Sequence, residues 1–319
     1  MAEAYPVEPE KRDAWILGLR RGVPRATLDP RRVSAWIPEN EPDDHGRIHS
    51  GLALFLTNRE CPWRCLMCDL WRHTLSVRVR AGDLPAQIDQ ALNESRLAGH
   101  SPDWIKLYNA GSFFDPGAVP VGDRSSIARQ VQGFRRVILE NHPALTDGRV
   151  LPFRDQLGGA QLEVAIGLET AHPMVLERLN KRVGLDDFRR AVGFLREKEI
   201  DVRAFVLVKP PFLDESEALD WACRSIDFAF DCGVNVVSLI ATRAGNGALE
   251  ELARQGEFSP PRFETLVSAF RHGVEAKRGR VFVDLWQLEQ AIANPEVIQG
   301  ARSHLEMVNR SQRWPAEGV

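Results

Sequence analysis

From Gly51 to Gly247, short apolar runs alternate with amphipathic helical patterns, and this alternation leaves the chain few folds to choose from. Strands separated by helices build βα units around a parallel sheet. Six units are predicted, with strands over Gly51 to Thr57, Asp103 to Tyr108, Arg136 to Glu140, Gln161 to Leu168, Val202 to Val208 and Val234 to Ala241. The intervening helical patterns cover Pro85 to Leu92, Ser125 to Phe134, Leu151 to Leu157, Pro173 to Leu179, Asp186 to Glu197 and Glu215 to Phe230. Phe188, Ala191, Val192 and Leu195 form one apolar stripe at helical spacing. The same argument puts Leu219, Cys223, Ile226 and Phe230 on a buried face, with Cys223 a core thiol. The 319 residues therefore read as an α/β core, residues 50–247, a partial barrel of six βα units. An irregular lead-in, residues 1–49, precedes it, and a mixed extension, residues 248–319, closes it. That extension carries helical stretches over Arg262 to Glu275 and Ile298 to Gln312 and an extra strand over Arg280 to Leu285.

Just past the first strand, Cys61-Pro62-Trp63-Arg64-Cys65-Leu66-Met67-Cys68 holds three of the five cysteines. Strand carboxyl ends are where parallel α/β folds place their chemistry. Soft thiolates select zinc, copper(I) or iron–sulfur clusters, and zinc sites and four-iron clusters normally take four ligands. This loop supplies three. An iron–sulfur cluster so held would keep one iron open to a cosubstrate. The rival is a non-catalytic ligand-binding protein stabilised by a zinc on Cys61, Cys65, Cys68 and His73.

With 44% apolar residues, net charge −3 and neither a membrane-length apolar run nor a leader at Met1 to Lys11, the expectation is a soluble cytoplasmic protein without membrane contact. The near-neutral charge gives only weak support to nucleic acid as a partner. The lead-in is its most basic part, with Lys11, Arg12, Arg20, Arg21, Arg25, Arg31 and Arg32 among its cations. These read either as contacts to a phosphate-bearing substrate or, more simply, as a solvated helix face whose tryptophans, Trp15 and Trp36, dock on the barrel.

Cys-x3-Cys-x2-Cys after a first strand is the signature of the radical S-adenosylmethionine (SAM) enzymes, and over Gly51 to Gly247 the chain resembles that superfamily. It is most similar to the branch of the Elongator catalytic subunit, MiaB and NifB. Over Ile105 to Asp115 and Leu162 to Arg182 it is similar to the archaeosine-associated radical SAM enzymes of tRNA modification. The resemblance implies a partial (β/α)6 TIM-like barrel and a 4Fe-4S cluster on Cys61, Cys65 and Cys68. It also implies SAM on the open iron, a reductant such as flavodoxin or ferredoxin, and hydrogen abstraction by a 5′-deoxyadenosyl radical. The substrate stays open between a tRNA nucleoside and a small metabolite or peptide.

Asn109-Ala110-Gly111 stands where the family has a glycine-rich motif that binds the SAM amino group, but departs from its Gly-Gly-Glu form. Glu140 and Glu169, at strand ends, are candidate acceptors for ribose hydroxyls or an ammonium. Gly167-Leu168-Glu169 adds to the resemblance, which places Lys181, with Arg182 as rival, on the SAM carboxylate. The backbone at Val208 would border the adenine. Arg243 and Asn246 are candidate substrate contacts, and His142 a candidate proton-transfer group. Met67 occupies the place where relatives carry an adenine-stacking aromatic, so that contact is loose or comes from Trp63 or Trp71.

Overall fold

In the computed structural model, which describes residues 4–315, a single curled sheet runs in the order β1 to β8. Its strands are β1 (Ala35–Pro42), β2 (Ile48–Phe55), β3 (Trp104–Tyr108), β4 (Arg136–Asn141), β5 (Gln161–Glu169), β6 (Asp201–Val208), β7 (Val236–Ala241) and β8 (Arg280–Val283). From β2 to β8 every neighbour is parallel. The helices are α1 (Pro9–Arg20), α2 (Asp83–Leu97), α3 (Val121–Val131), α4 (Leu151–Arg154), α5 (Pro173–Arg178), α6 (Leu185–Glu197), α7 (Glu215–Asp231), α8 (Ala248–Arg254), α9 (Phe263–Ala276), α10 (Leu288–Ala291) and α11 (Ile298–Ser311). All six expected strands form within a few residues of their expected limits, and the fold is the expected partial barrel. The first three and last four positions lie outside the described residues.

Two strands extend the sheet beyond the six units. The lead-in is less irregular than its prolines suggest: Ala35–Pro42 forms β1, an antiparallel edge on β2, where Pro38 and Pro42 are tolerated. At the other edge the expected extra strand, β8, pairs in parallel with β7. Its free side is capped by α11. Asn309 accepts from Val283 N and donates to Val283 O, both at 2.9 Å, while Gln312 does the same for Val281 at 2.8 Å. Two side-chain amides thus stand in for a ninth strand and satisfy groups that would otherwise be an open edge.

The layer between sheet and helices is apolar. All four stripe residues of α6 are buried. On α7 the buried face is Ala218, Ala222, Ser225, Ile226, Ala229 and Phe230, so the helix is rotated from the expected stripe. Leu219 is exposed and Cys223 only partly buried. Small residues let α7 approach the sheet closely, which outweighs the burial of one leucine.

The inside of the barrel is different. Its floor is a charged lattice in which Glu163 accepts from Arg136 at 2.6 Å and from Arg203 at 2.7 Å. Glu41 accepts from Arg203 at 2.8 and 3.1 Å and from Lys106 at 2.5 Å. Arg280 donates to the Pro42 carbonyl at 2.9 Å, joining the first strand to the last across the open seam. Phe55, Tyr108, Phe205 and Ile240 are partly buried, and the Tyr108 ring meets Phe55 and Phe205 edge-on, with centroids 6.0 and 6.3 Å apart. Among the described residues no helix is long and apolar enough to cross a membrane.

Candidate active site

The cysteine loop follows the carboxyl end of β2 in the parallel sheet and is held from four sides. Leu66 N donates to Leu179 O at 2.9 Å, and Asn180 donates to Arg64 O at 2.8 Å. The Asn246 amide donates to Leu66 O at 2.8 Å and to Cys68 O at 3.3 Å while capping Leu249 N. Arg243 donates to Asp69 at 3.1 and 3.2 Å. Trp63, at the loop tip, stacks on His142 with ring centroids 3.8 Å apart. All five thiols of the chain are free, and those of Cys61, Cys65 and Cys68 are partly buried. Burial first, then mutual repulsion, pushes the Cys61 and Cys68 thiols up; burial also raises Cys65, against the pull of Lys181.

Three close thiols whose anionic forms repel need a cation to hold them as thiolates. Among the described residues no three His, Cys, Asp or Glu side chains are placed to hold one metal ion, and His73 is exposed.

The strand ends around the loop explain the motifs read from the sequence. A side chain at Gly111 would be crowded: a Cβ there would lie 3.3 Å from Cys61 Cβ. Its neighbour Ala110 is held at φ +49°, a conformation that costs a non-glycine residue energy. Asn109 is fully buried, yet neither atom of its amide has a hydrogen-bond partner among the described residues. Orphaned groups of this kind are costly in a folded interior, and this pair is free to bond a ligand or water.

At the end of β5 the register shifts between Gly167 and Glu169, and Glu169 takes φ +67°. The bulge turns Leu168 into the core and re-aims the Glu169 carboxylate inward, where Lys181 Nζ meets it at 2.5 Å. A Cβ on Gly167 would collide with both charged groups. This is the physical content of Gly167-Leu168-Glu169: a bulge, with the glycine vacating the space that the ion pair fills.

One residue on, Arg182 turns the other way and donates to Asp13 of α1 at 2.8 Å. Lys181 is buried beside Cys65, so of the two expected cations it is the one facing the thiols.

Other candidate residues are already engaged in the protein's own contacts. His142 Nδ1 accepts from Ala144 N at 3.2 Å and its Nε2 lies 3.2 Å from Lys181 O, so both ring nitrogens are committed. Burial lowers it to about 3. It is a neutral prop for the loop and has no lone pair free for proton transfer. The Val208 carbonyl receives both the amide and the hydroxyl of Thr242, at 3.3 and 3.0 Å, which occupies its acceptor capacity. Trp71 is buried beneath the Arg20 and Arg25 guanidiniums and Trp63 has His142 on one face; Met67 packs among Val175, Leu179 and Leu207. Arg243 reaches the mouth already paired with Asp69.

Glu140 is the most responsive carboxyl here: burial raises it to about 7, against the opposing Asn109 amide and Lys181. In the unfolded chain it titrates near 4.5, so only the folded protein keeps its proton between those values. Its contribution to stability is complete below about pH 4.5 and is lost as pH rises through about 7. Urea midpoints should therefore fall across that window for the natural chain and fall less for Glu140→Gln; parallel profiles would refute the assignment.

No family model matches the chain. Over 240 residues it is 22% identical to an uncharacterized protein of Methanocaldococcus jannaschii, covering 72% of this chain and 66% of that protein. Over 236 residues it is 26% identical to archaeosine synthase subunit beta of Methanosarcina acetivorans, covering 70% of this chain and 67% of that protein. The chain thus spans about two thirds of the length of the curated relatives it matches. Among solved structures it is similar to queuine lyase from Clostridium spiroforme bound to SAM and queuine, at a TM-score of 0.53 and 16% identity, covering 81% of this chain and 96% of that one. The fold is that of the radical SAM enzymes.

Proposed function

We propose that this chain is a radical SAM enzyme in which Cys61, Cys65 and Cys68 hold a 4Fe-4S cluster. The observation that carries the reading is the combination, at one mouth, of a three-thiol loop with an unpartnered buried amide and a charged pair. When bound, the cluster supplies the electron that cleaves SAM to methionine and a 5′-deoxyadenosyl radical.

The chain's own part is to bind and orient. Asn109, with the backbone at Ala110 and Gly111, is placed to receive the amino group of SAM beside Cys61. Lys181 is the candidate for its carboxylate, with Glu169 holding the ammonium in position. Glu140 is the candidate acceptor for ribose hydroxyls. The substrate would bind beside the cysteine loop at the carboxyl end of the sheet, with Arg243 and Asp69 as candidate polar contacts. Its class follows the relatives: a nucleoside of tRNA, or a small metabolite carrying a comparable ring. A flavodoxin or ferredoxin is the expected reductant, consistent with a reducing compartment.

Anaerobic reconstitution with iron and sulfide tests the reading. The expected result is about four irons per chain, from the stoichiometry of a four-iron cluster, and release of 5′-deoxyadenosine and methionine once the protein is reduced with SAM present. A reconstituted, reduced protein that leaves SAM intact would sink it.

A further inference from the structure

The lead-in helix α1 delivers a buried guanidinium to the cysteine loop. Arg20, the last residue of α1, is 7% exposed, where the sequence led us to expect a solvated face. Its Nη1 donates to Glu60, the residue before Cys61, at 2.9 Å. Its guanidinium lies 5.0 Å from the Trp71 ring centroid. Its Nε is buried and has no hydrogen-bond partner among the described residues. The thiols of Cys68 and Cys65 are within its electrostatic reach. The end of α1 is seated firmly: a Cβ on Gly247 would stand 2.6 Å from Leu19 O, next to the Asn246 amide that holds the Cys68 carbonyl.

Charge does not balance around this group. Glu60 is shared by Arg20, by Arg25 at 3.2 Å and by Arg64 at 3.4 Å, one carboxylate against three guanidiniums. An arginine stays charged when buried, and a buried donor without a partner is costly. A merely structural staple would need only the bond to Glu60, and a methionine in that place would avoid the orphaned Nε. Glu60, which gathers this charge, immediately precedes Cys61, so the excess charge sits at the start of the cysteine loop, and cluster sulfurs accept hydrogen bonds that shift the cluster's potential.

We infer that Arg20 is a positioning residue for the cluster, whose charge and spare Nε–H favour the reduced form. The inference rests on the cluster reading proposed above. Reduction adds one negative charge to the cluster, and a buried cation nearby stabilises that charge more than a solvated one would. The lead-in is then part of the redox site, although it precedes the six βα units.

The test is the midpoint potential of the reconstituted cluster without SAM, followed by electron paramagnetic resonance, with iron content and urea midpoint measured on the same samples. Arg20→Met should make reduction harder by tenfold or more in the equilibrium, about 59 mV for a one-electron couple. Arg20→Lys, which keeps charge and loses the Nε–H, should fall between. Glu60→Gln leaves Arg20 in place, removes its counter-charge, and should shift the potential the other way; it keeps the test open if the methionine variant fails to fold.

Full iron content with an unchanged potential in Arg20→Met, or in Glu60→Gln where that is the variant that folds, overturns the inference and leaves the cluster reading intact. Wild-type protein that assembles no cluster overturns both. A purely structural role would lower the urea midpoint and leave the potential where it was.

Discussion

Cys65→Ser should assemble no stable cluster and should lose SAM cleavage by more than about 100-fold, beyond the 10- to 100-fold typical of residues one shell out from a metal. Cys65 lies in the middle of the loop, between the other two thiols in sequence, with Lys181 on one side and Arg20 on the other. A serine hydroxyl is nearly the same size and is not deprotonated to a soft ligand at neutral pH. The polypeptide should still fold, because the loop is fixed by Asn246, Asn180, Arg243 and the Trp63–His142 stack, none of which uses the thiol. Folding intact by circular dichroism, with iron and 5′-deoxyadenosine lost together, is the expected pattern. Normal iron content in this variant would remove Cys65 from the ligand set.

Glu163→Gln, at the opposite end of the barrel, should cost the fold about 3–5 kcal/mol, the usual effect of breaking a buried ion pair by removing one partner. Glu163 is fully buried and takes one bond each from Arg136 and Arg203, with Arg280 3.9 Å away. A neutral amide leaves those guanidiniums short of counter-charge, with Glu41, Asp201 and Asp44 left to answer them. The arginines hold the Glu163 carboxyl down at about 2, against its burial. Its stabilisation is complete above the unfolded value of 4.5 and is lost as pH falls through about 2, so the natural chain should weaken over that acid range more steeply than the variant. Equal urea midpoints at pH 7 would show that the floor contributes little.

The sequence made the parallel sheet legible because its strands are apolar on both faces through much of their length, as buried parallel strands are. β1 escaped for the opposite reason. Glu39 and Glu41 face inward, two prolines interrupt the run, and its stabilising partners, Lys106 and Arg203, come from distant strands. The arginines of the lead-in were misread in the same way. Arg12 is 3% exposed and pairs with Glu177 at 2.7 Å, a partner 165 residues away. No helical periodicity near Arg12 contains Glu177. On α7 the error was one of weighting, since alanines that allow close approach carry less hydrophobic signal than the leucine they outrank.

Local order is what this sequence determined by itself: the alternation of strand and helix, the three-cysteine loop after the first parallel strand, and the glycine at the bulge of β5. Each depends on neighbours within a few residues, through periodicity, turn chemistry or the lack of a Cβ. Tertiary structure decided which charges meet. Lys181 and Arg182 are adjacent and equally basic, yet a left-handed turn with φ +55° at Asn180 and +59° at Arg182 sends one inward to Glu169 and the other outward to Asp13. Arg203 meets Glu41 across 162 residues, and Arg20 meets Glu60 across 40. The energy of such pairs depends on burial and distance, which exist only once the chain has closed.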